Sequence, residues 1–353
     1  MAQVVRIHQT GGPEVLTLDD VELLPPAAGE VRLKQTYAGL NFIDVYFRTG
    51  LYPAAQLPLV LGQEAAARVV ALGPGVTGLK VGQRVAYAGL QGAYATERNA
   101  LAERLVPLPD TLDDATAASV MLKGMTAEYL LRRCYPVKKG ETILFHAAAG
   151  GVGLLACQWA RALGARVIGT VSTPEKAALA RQAGCEEVIV STKRNFVTDV
   201  RAFTGGKGVD AAYDSVGVAT FESSLACLKP RGTLVLFGQS SGKVPPYDLG
   251  KLGGERSLYV TRPALNAYTA TRAELLACAN ALFEVLGKGI VKVRPPNQFP
   301  LQDVANAHRQ LEARKTVGST VLVIDAAAGA AAAPASGSAK KKVAKAKPAK
   351  KKK

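Results

Sequence analysis

Along the first third of the chain apolar and polar residues alternate: Val31, Leu33 and Tyr37 interleave with Arg32, Lys34 and Thr36, while Gly73, Gly75, Gly78 and Gly82 punctuate turns. A period of two puts successive side chains on opposite faces of a strand, so residues 1–123 read as a compact, twisted β-lobe. From about Gly124 to Arg262 short apolar runs alternate with helical patterns. Strands are predicted over 142–147, 166–171, 188–190, 209–213, 233–237 and 258–261, with a helix over 152–163. Repeated βα alternation calls for a parallel sheet covered on both faces. Two helices, over 273–286 and 301–313, then precede a last strand over 319–324. That strand needs partners, so the chain is expected to return to its N-terminal lobe.

Phe145-His-Ala-Ala-Ala-Gly-Gly-Val-Gly-Leu-Leu-Ala156 follows the strand over 142–147 and opens the helix over 152–163. Ala148, Gly150 and Gly153 hold the three glycine positions of G-x-G-x-x-G, with Gly151 and Val152 between the last two. That pattern suits an ordinary glycine-rich turn or a dinucleotide site, where helix amides meet a pyrophosphate. The strand over 166–171 favours the second reading, because it ends roughly 20 residues on, where the adenosine ribose is read. An NAD site would place Asp or Glu there. This chain has Ser172 and Thr173, with Lys176 one turn later. Hydroxyls and a cation suit a 2′-phosphate and so NADPH; a helix cap with a solvated lysine would use the same residues. Two further turns, Asp214-Ser-Val-Gly217 and Phe237-Gly-Gln-Ser-Ser-Gly242, lie after strands at the carboxyl edge. They offer Ser215, Gly217, Phe237, Gly238, Gln239 and Ser240 to the cofactor.

Charge is unevenly placed. The formal net charge is +16, and nine lysines with no acid stand beyond Asp325, in a run rich in Ala, Pro, Gly and Ser. Such a segment cannot bury enough apolar surface to fold, so 326–353 is expected to be a disordered basic tail able to touch nucleic acid or another polyanion. A solvated tail aiding solubility is the plainer reading. Charges interrupt every apolar run before membrane-spanning length, and the N-terminus has no secretory pattern. The five cysteines, Cys134, Cys157, Cys185, Cys227 and Cys278, form no CxxC pair. Each is expected to be buried, in a soluble, cytoplasmic protein.

Several further motifs carry a family resemblance: Gly11-Gly-Pro-Glu-Val-Leu16, Asn41-Phe-Ile-Asp-Val-Tyr46, Arg48-Thr-Gly-Leu-Tyr52, Leu61-Gly-Gln-Glu64, Tyr213-Asp-Ser-Val-Gly217 and Tyr259-Val-Thr-Arg-Pro263. With the glycine turn, they make the chain similar, up to about Asp325, to the NADPH:quinone oxidoreductase (zeta-crystallin-like) branch of the medium-chain dehydrogenases/reductases. The resemblance implies an α/β fold with a Rossmann NADPH-binding domain over 124–262. A GroES-like, mainly β catalytic domain would be built from 1–123 and 263–325. It also implies a homodimer, in which the apolar edge strand over 258–261 could pair across a two-fold axis.

Zinc enzymes of this superfamily carry a Gly-His-Glu ligand where this chain has Gly62-Gln63-Glu64, and no cysteine precedes Cys134. His8, His146 and His308 stand isolated, so no tetrahedral zinc site is expected. Reduction of a quinone, or of another electrophilic small molecule, does not require a Lewis acid. By resemblance Asn41, Tyr46, Tyr52 and Gln63 face the acceptor, Tyr52 hydrogen-bonding a developing oxyanion and Tyr46 walling the ring, although both phenols would also serve as half-buried aromatics. Thr126 and Tyr129 fall near the nicotinamide, and Arg262 and Arg314 near the cofactor or the cleft mouth. Relatives often carry a tyrosine after the third nucleotide-domain strand, where this chain reads Val190-Ser-Thr192. The other readings are an NADPH-dependent reductase of activated C=C bonds in alkenals, enones or enoyl thioesters, and polyanion binding through the tail.

Overall fold

A computed structural model describes residues 1–191, 195–325 and 327; the lysine-rich tail and Thr192 lie outside them. Six parallel strands form the sheet that holds the glycine turn: Glu187–Val190, Arg166–Val171, Thr142–Phe145, Val209–Asp214, Leu228–Leu236 and Tyr259–Thr261, in that spatial order. Within the sheet this is 3-2-1-4-5-6, and the order reverses direction between Thr142–Phe145 and Val209–Asp214. Crossover loops diverge to opposite faces at such a switch point and leave a crevice beyond the strand ends. Ile143, Leu144, Val167, Ile168, Ala211 and Ala212 are fully buried, as expected of strands covered on both faces.

The second large sheet has seven strands. Glu30–Leu40 lies at its centre and pairs antiparallel with Glu64–Leu72, Glu97–Leu101 and the C-terminal Thr320–Val323. Leu322 lies opposite Ala38, so the chain does return to its first lobe. Asn297–Pro300, a polar, proline-ended strand with no clear alternation, caps the edge beside Thr320–Val323. Ala2–Ile7 pairs with Leu16–Val21 and Leu59–Val60 in a small third sheet.

Helix Asp114–Tyr129 joins the two large sheets, packing on Glu30–Leu40 and Glu64–Leu72 on one side and on helix Gly151–Ala162 on the other. Asp113 caps its start, accepting from Thr116 N at 2.8 Å. Being buried nearly all round, it carries no amphipathic stripe. The division expected at 123/124 falls inside it. Of the cysteines, four are buried; Cys134, expected to be buried like the others, is only half-buried, at the end of the irregular turn Leu130–Cys134 that closes this helix.

Candidate functional site

The crevice is a cavity of about 1140 Å³ between the two large sheets. Its floor is the glycine turn. Helix Gly151–Ala162 begins at Gly150, which supplies no side-chain cap, and its first turn holds no acid, so its leading N–H groups are left for an anion. A Cβ at Gly153 would stand 2.4 Å from the Ala147 carbonyl and 2.7 Å from Ala148, so only glycine lets helix and strand approach this closely. Gly150, Gly151, Val152 and Gly153 all line the cavity, and the closing segment reaches the turn where Gly318 bridges Gly150.

At one end of the cavity Ser172 lines the wall, and Thr173 behind it caps helix Pro174–Gln182, accepting from Lys176 N at 3.3 Å. The Lys176 ammonium donates to the Arg314 carbonyl at 2.7 Å. Burial, then the positive charge of Arg314, lowers the Lys176 pKa. Arg314 holds a left-handed φ of 57° and lines the same end, with Ser191 and Asn195. Two cations held together, with no acid lining the cavity among the described residues, suit a phosphate. Ser215, Phe237, Gly238 and Ser240 line the wall between. Gly217 and Gln239 stand behind it: Gly217 has φ 96°, where a Cβ would meet the Gly242 carbonyl at 2.6 Å. The Gln239 N–H donates to the Tyr46 hydroxyl at 3.1 Å, tying the two lobes.

At the other end stand Asn41, Tyr46, Tyr52, Gln63, Thr126, Tyr129 and Arg262. Tyr46 and Tyr52 pack edge to face at 5.1 Å. Burial pushes the Tyr46 phenol up to about 12. The Tyr52 oxygen accepts from Arg262 Nη2 at 2.8 Å, which leaves its own O–H to donate into the cavity. Gln63 Nε2 donates to Gln91 at 2.9 Å. Asn41 Nδ2 donates to Glu64 Oε1 at 2.9 Å, the same oxygen that receives Lys123 Nζ. Burial also raises the Tyr129 phenol, which stacks on Tyr268 at 4.6 Å.

Sequence reasoning missed the Glu64–Lys123 pair. Glu64 is fully buried and satisfied by Asn41, Lys123 and the Leu122 N–H at 2.6 Å. Lys123, whose side chain lines the cavity, is also positioned so that a Cβ on Gly151 would meet its stem at 2.7 Å. The available signal was a lysine within an otherwise apolar helical stretch. Among the described residues no group of His, Cys, Asp and Glu could hold a metal ion. His146, at the cavity wall, spends both nitrogens on Thr170 and Ser224, each at 2.9 Å.

A doubly wound sheet with a glycine turn at its switch point, facing a β-rich lobe across a shared cleft, defines a medium-chain dehydrogenase/reductase. Residues 27–131 match the alcohol dehydrogenase GroES-like domain, and 151–279 match the zinc-binding dehydrogenase family. The chain is 51% identical to a quinone oxidoreductase of Pseudomonas aeruginosa over 324 residues, covering 92% of this chain and 100% of the relative. It superposes with a TM-score of 0.89 on Escherichia coli quinone oxidoreductase complexed with NADPH, at 46% identity, covering 91% of this chain and 99% of that one. A 2-haloacrylate reductase from a Burkholderia species is 44% identical, covering 92% of this chain and 99% of the relative. The chain belongs to the quinone oxidoreductase family.

Proposed function

We propose that this protein is an NADPH:quinone oxidoreductase that works without zinc. The observation that carries the reading is the polarity of the cleft: Lys176 and Arg314 at one end, phenol and amide donors at the other, and among the described residues no Asp or Glu side chain lining it. The cradle fits the cofactor. Helix amides at Gly150–Gly153 would hold the pyrophosphate; Ser172, Lys176 and Arg314, with Thr173 shaping the turn, would hold the 2′-phosphate. Ser215, Phe237, Gly238 and Ser240, backed by Gly217 and Gln239, would wall its middle, with Thr126 and Tyr129 beside the nicotinamide. In that cradle NADPH would supply hydride chemistry, by which a quinone, with one proton from solvent, would become a hydroquinone and leave NADP⁺.

The protein's own part is alignment, water exclusion and hydrogen bonding. Tyr52 donates to the acceptor oxygen that gains charge, and Arg262 keeps that phenol oriented. Gln63 offers an amide proton to the same acceptor, Asn41, its amide held by Glu64, lines the pocket beside it, and Tyr46 walls its ring. Steady-state assays with NADPH and 1,4-benzoquinone are expected to show turnover, with NADH a poorer donor; absence of turnover would sink the reading. Reduction of an activated C=C bond is the second reading, favoured by the similarity to a 2-haloacrylate reductase. There Tyr52 would protonate carbon after hydride delivery.

The same proposal takes residues 1–123 and 263–325 as the catalytic domain and 124–262 as the nucleotide domain. It places the protein in the cytoplasm, where free thiols persist, and pairs Tyr259–Thr261 across a homodimer axis. The tail over 326–353 would contact polyanions. Among the described residues no helix is long and apolar enough to cross a membrane.

A further inference from the structure

Among the described residues four cations line the cavity: Lys123, Lys176, Arg262 and Arg314. Three have evident work. Lys123 is neutralised by Glu64, and Lys176 and Arg314 sit together at the phosphate end. Arg262 is different. It leaves the edge strand Tyr259–Thr261 and stands at the mouth, where Nη1 donates to the Leu236 carbonyl at 3.0 Å and Nη2 to Tyr52 at 2.8 Å. Both partners are neutral oxygens, so the guanidinium is aimed without being discharged. Its charge reaches Tyr46 and Tyr129 as well, holding both phenols lower than burial alone would leave them. An oriented guanidinium among three phenols, facing a cavity wall that carries no acid among the described residues, is a receptor for an anionic oxygen group.

We propose that Arg262 sets acceptor specificity, favouring small conjugated acceptors that carry a carboxylate or sulfonate beside the reducible bond. The inference rests on the oxidoreductase reading above. It extends that reading from neutral quinones to anionic acceptors. The anion would meet the remaining Arg262 donors, while Tyr52 stays free to donate to the oxygen that gains charge. Removing a hydrogen bond to a charged group costs about tenfold to a hundredfold.

The test compares 1,4-naphthoquinone with 1,4-naphthoquinone-2-sulfonate, using NADPH and the full chain as wild type, Arg262→Gln and Arg262→Lys. The wild type is expected to prefer the sulfonate in kcat/KM, less so as salt is raised. Arg262→Gln should lower kcat/KM on both quinones, since Tyr52 loses the partner that orients it, but by about tenfold to a hundredfold more on the sulfonate than on the parent quinone, with KM for NADPH unchanged. Arg262→Lys should recover part of the loss, since it restores charge without the fork. Equal losses on both quinones, or a loss expressed in KM for NADPH, would leave Arg262 with no role beyond orienting Tyr52 or holding the cofactor and overturn the proposal. A wild type indifferent to the sulfonate would overturn it too. Turnover of the parent quinone by the wild type reports separately on the oxidoreductase reading.

Discussion

Asp44 and Arg48 lie one turn apart on helix Phe42–Thr49, behind the acceptor end of the cleft, and both are buried. Asp44 Oδ2 accepts from the Asn41 N–H and the Tyr94 hydroxyl, each at 2.8 Å, while Oδ1 has no partner. Burial raises this carboxyl from its ordinary 3.8 to about 7, against the lowering effect of those two bonds. Arg48 is held by Glu312 through two bonds, at 2.7 and 2.8 Å, and reaches His308 Nδ1 at 3.1 Å. Burial, then the Arg48 charge, drives His308 down from 6.5 to about 3. The two groups act oppositely in one pH window. Asp44 binds its proton more tightly folded than unfolded, so its contribution is present at low pH and is lost as pH rises from about 4 to 7. His308 binds its proton less tightly when folded, so its contribution is present above 6.5 and is lost as pH falls toward 3. In Asp44→Asn only the second slope remains. Its urea-unfolding free energy, relative to wild type, is expected to rise by up to a few kcal/mol between pH 4 and pH 7. A difference that stays flat across that range would contradict the assignment.

Glycine spacing and the Ser172–Lys176 stretch were legible at the residue scale because local backbone geometry and charge type demand those residues. Glu64 and Lys123 were not, because 59 positions separate them in sequence. Only packing of helix Asp114–Tyr129 on strand Glu64–Leu72 closes the pair. The reading of Ser172, Thr173 and Lys176 left open a phosphate site or a helix cap. Thr173 does cap its helix, while Lys176 is bonded to Arg314 and faces the cavity.

Among the elements, strands buried on both faces announced themselves as continuous apolar runs, and Arg166–Val171 lies where the pattern puts it. Asn297–Pro300 was invisible for the opposite reason: it is polar, ends in proline, and exists through its pairing with Thr320–Val323. Tyr259–Thr261 is the last strand of the six-stranded sheet, with Tyr259 61% and Val260 38% exposed, so its outer edge is open in a single chain. If that edge carries the dimer, charging it with Tyr259→Lys and Val260→Lys should convert a dimer into a monomer in sedimentation velocity, with kcat on 1,4-benzoquinone retained. A wild type that is already monomeric would remove the basis for the proposed pairing.

For the whole molecule, charge segregation is the dominant sequence feature. Nine of the sixteen net positive charges stand after Asp325, whose side chain pairs with Lys34 at 2.9 Å. Truncation after Asp325 is expected to leave kcat/KM for NADPH and quinone within about twofold. The same truncation should abolish retention on duplex DNA at low salt; the intact chain should lose that binding with a log–log salt slope no steeper than about −8 for nine lysines. Persistent DNA binding by the truncated chain would move the site onto the folded body.

Periodicity alone determined that a β-rich segment precedes a parallel βα array and that the chain comes back to its start, because strand and helix periods are local properties of side-chain burial. Motif chemistry likewise pointed to the glycine turn and to Ser172, Thr173 and Lys176, whereas the residues expected at the acceptor end followed from the family resemblance. Tertiary structure decided how those ends are built. It put Arg262 against Tyr52, 210 residues apart in sequence, Lys176 against Arg314, and Glu64 against Lys123. Their polar groups come from separate segments, and the electrostatics of the cleft exist only once both large sheets have packed against one helix.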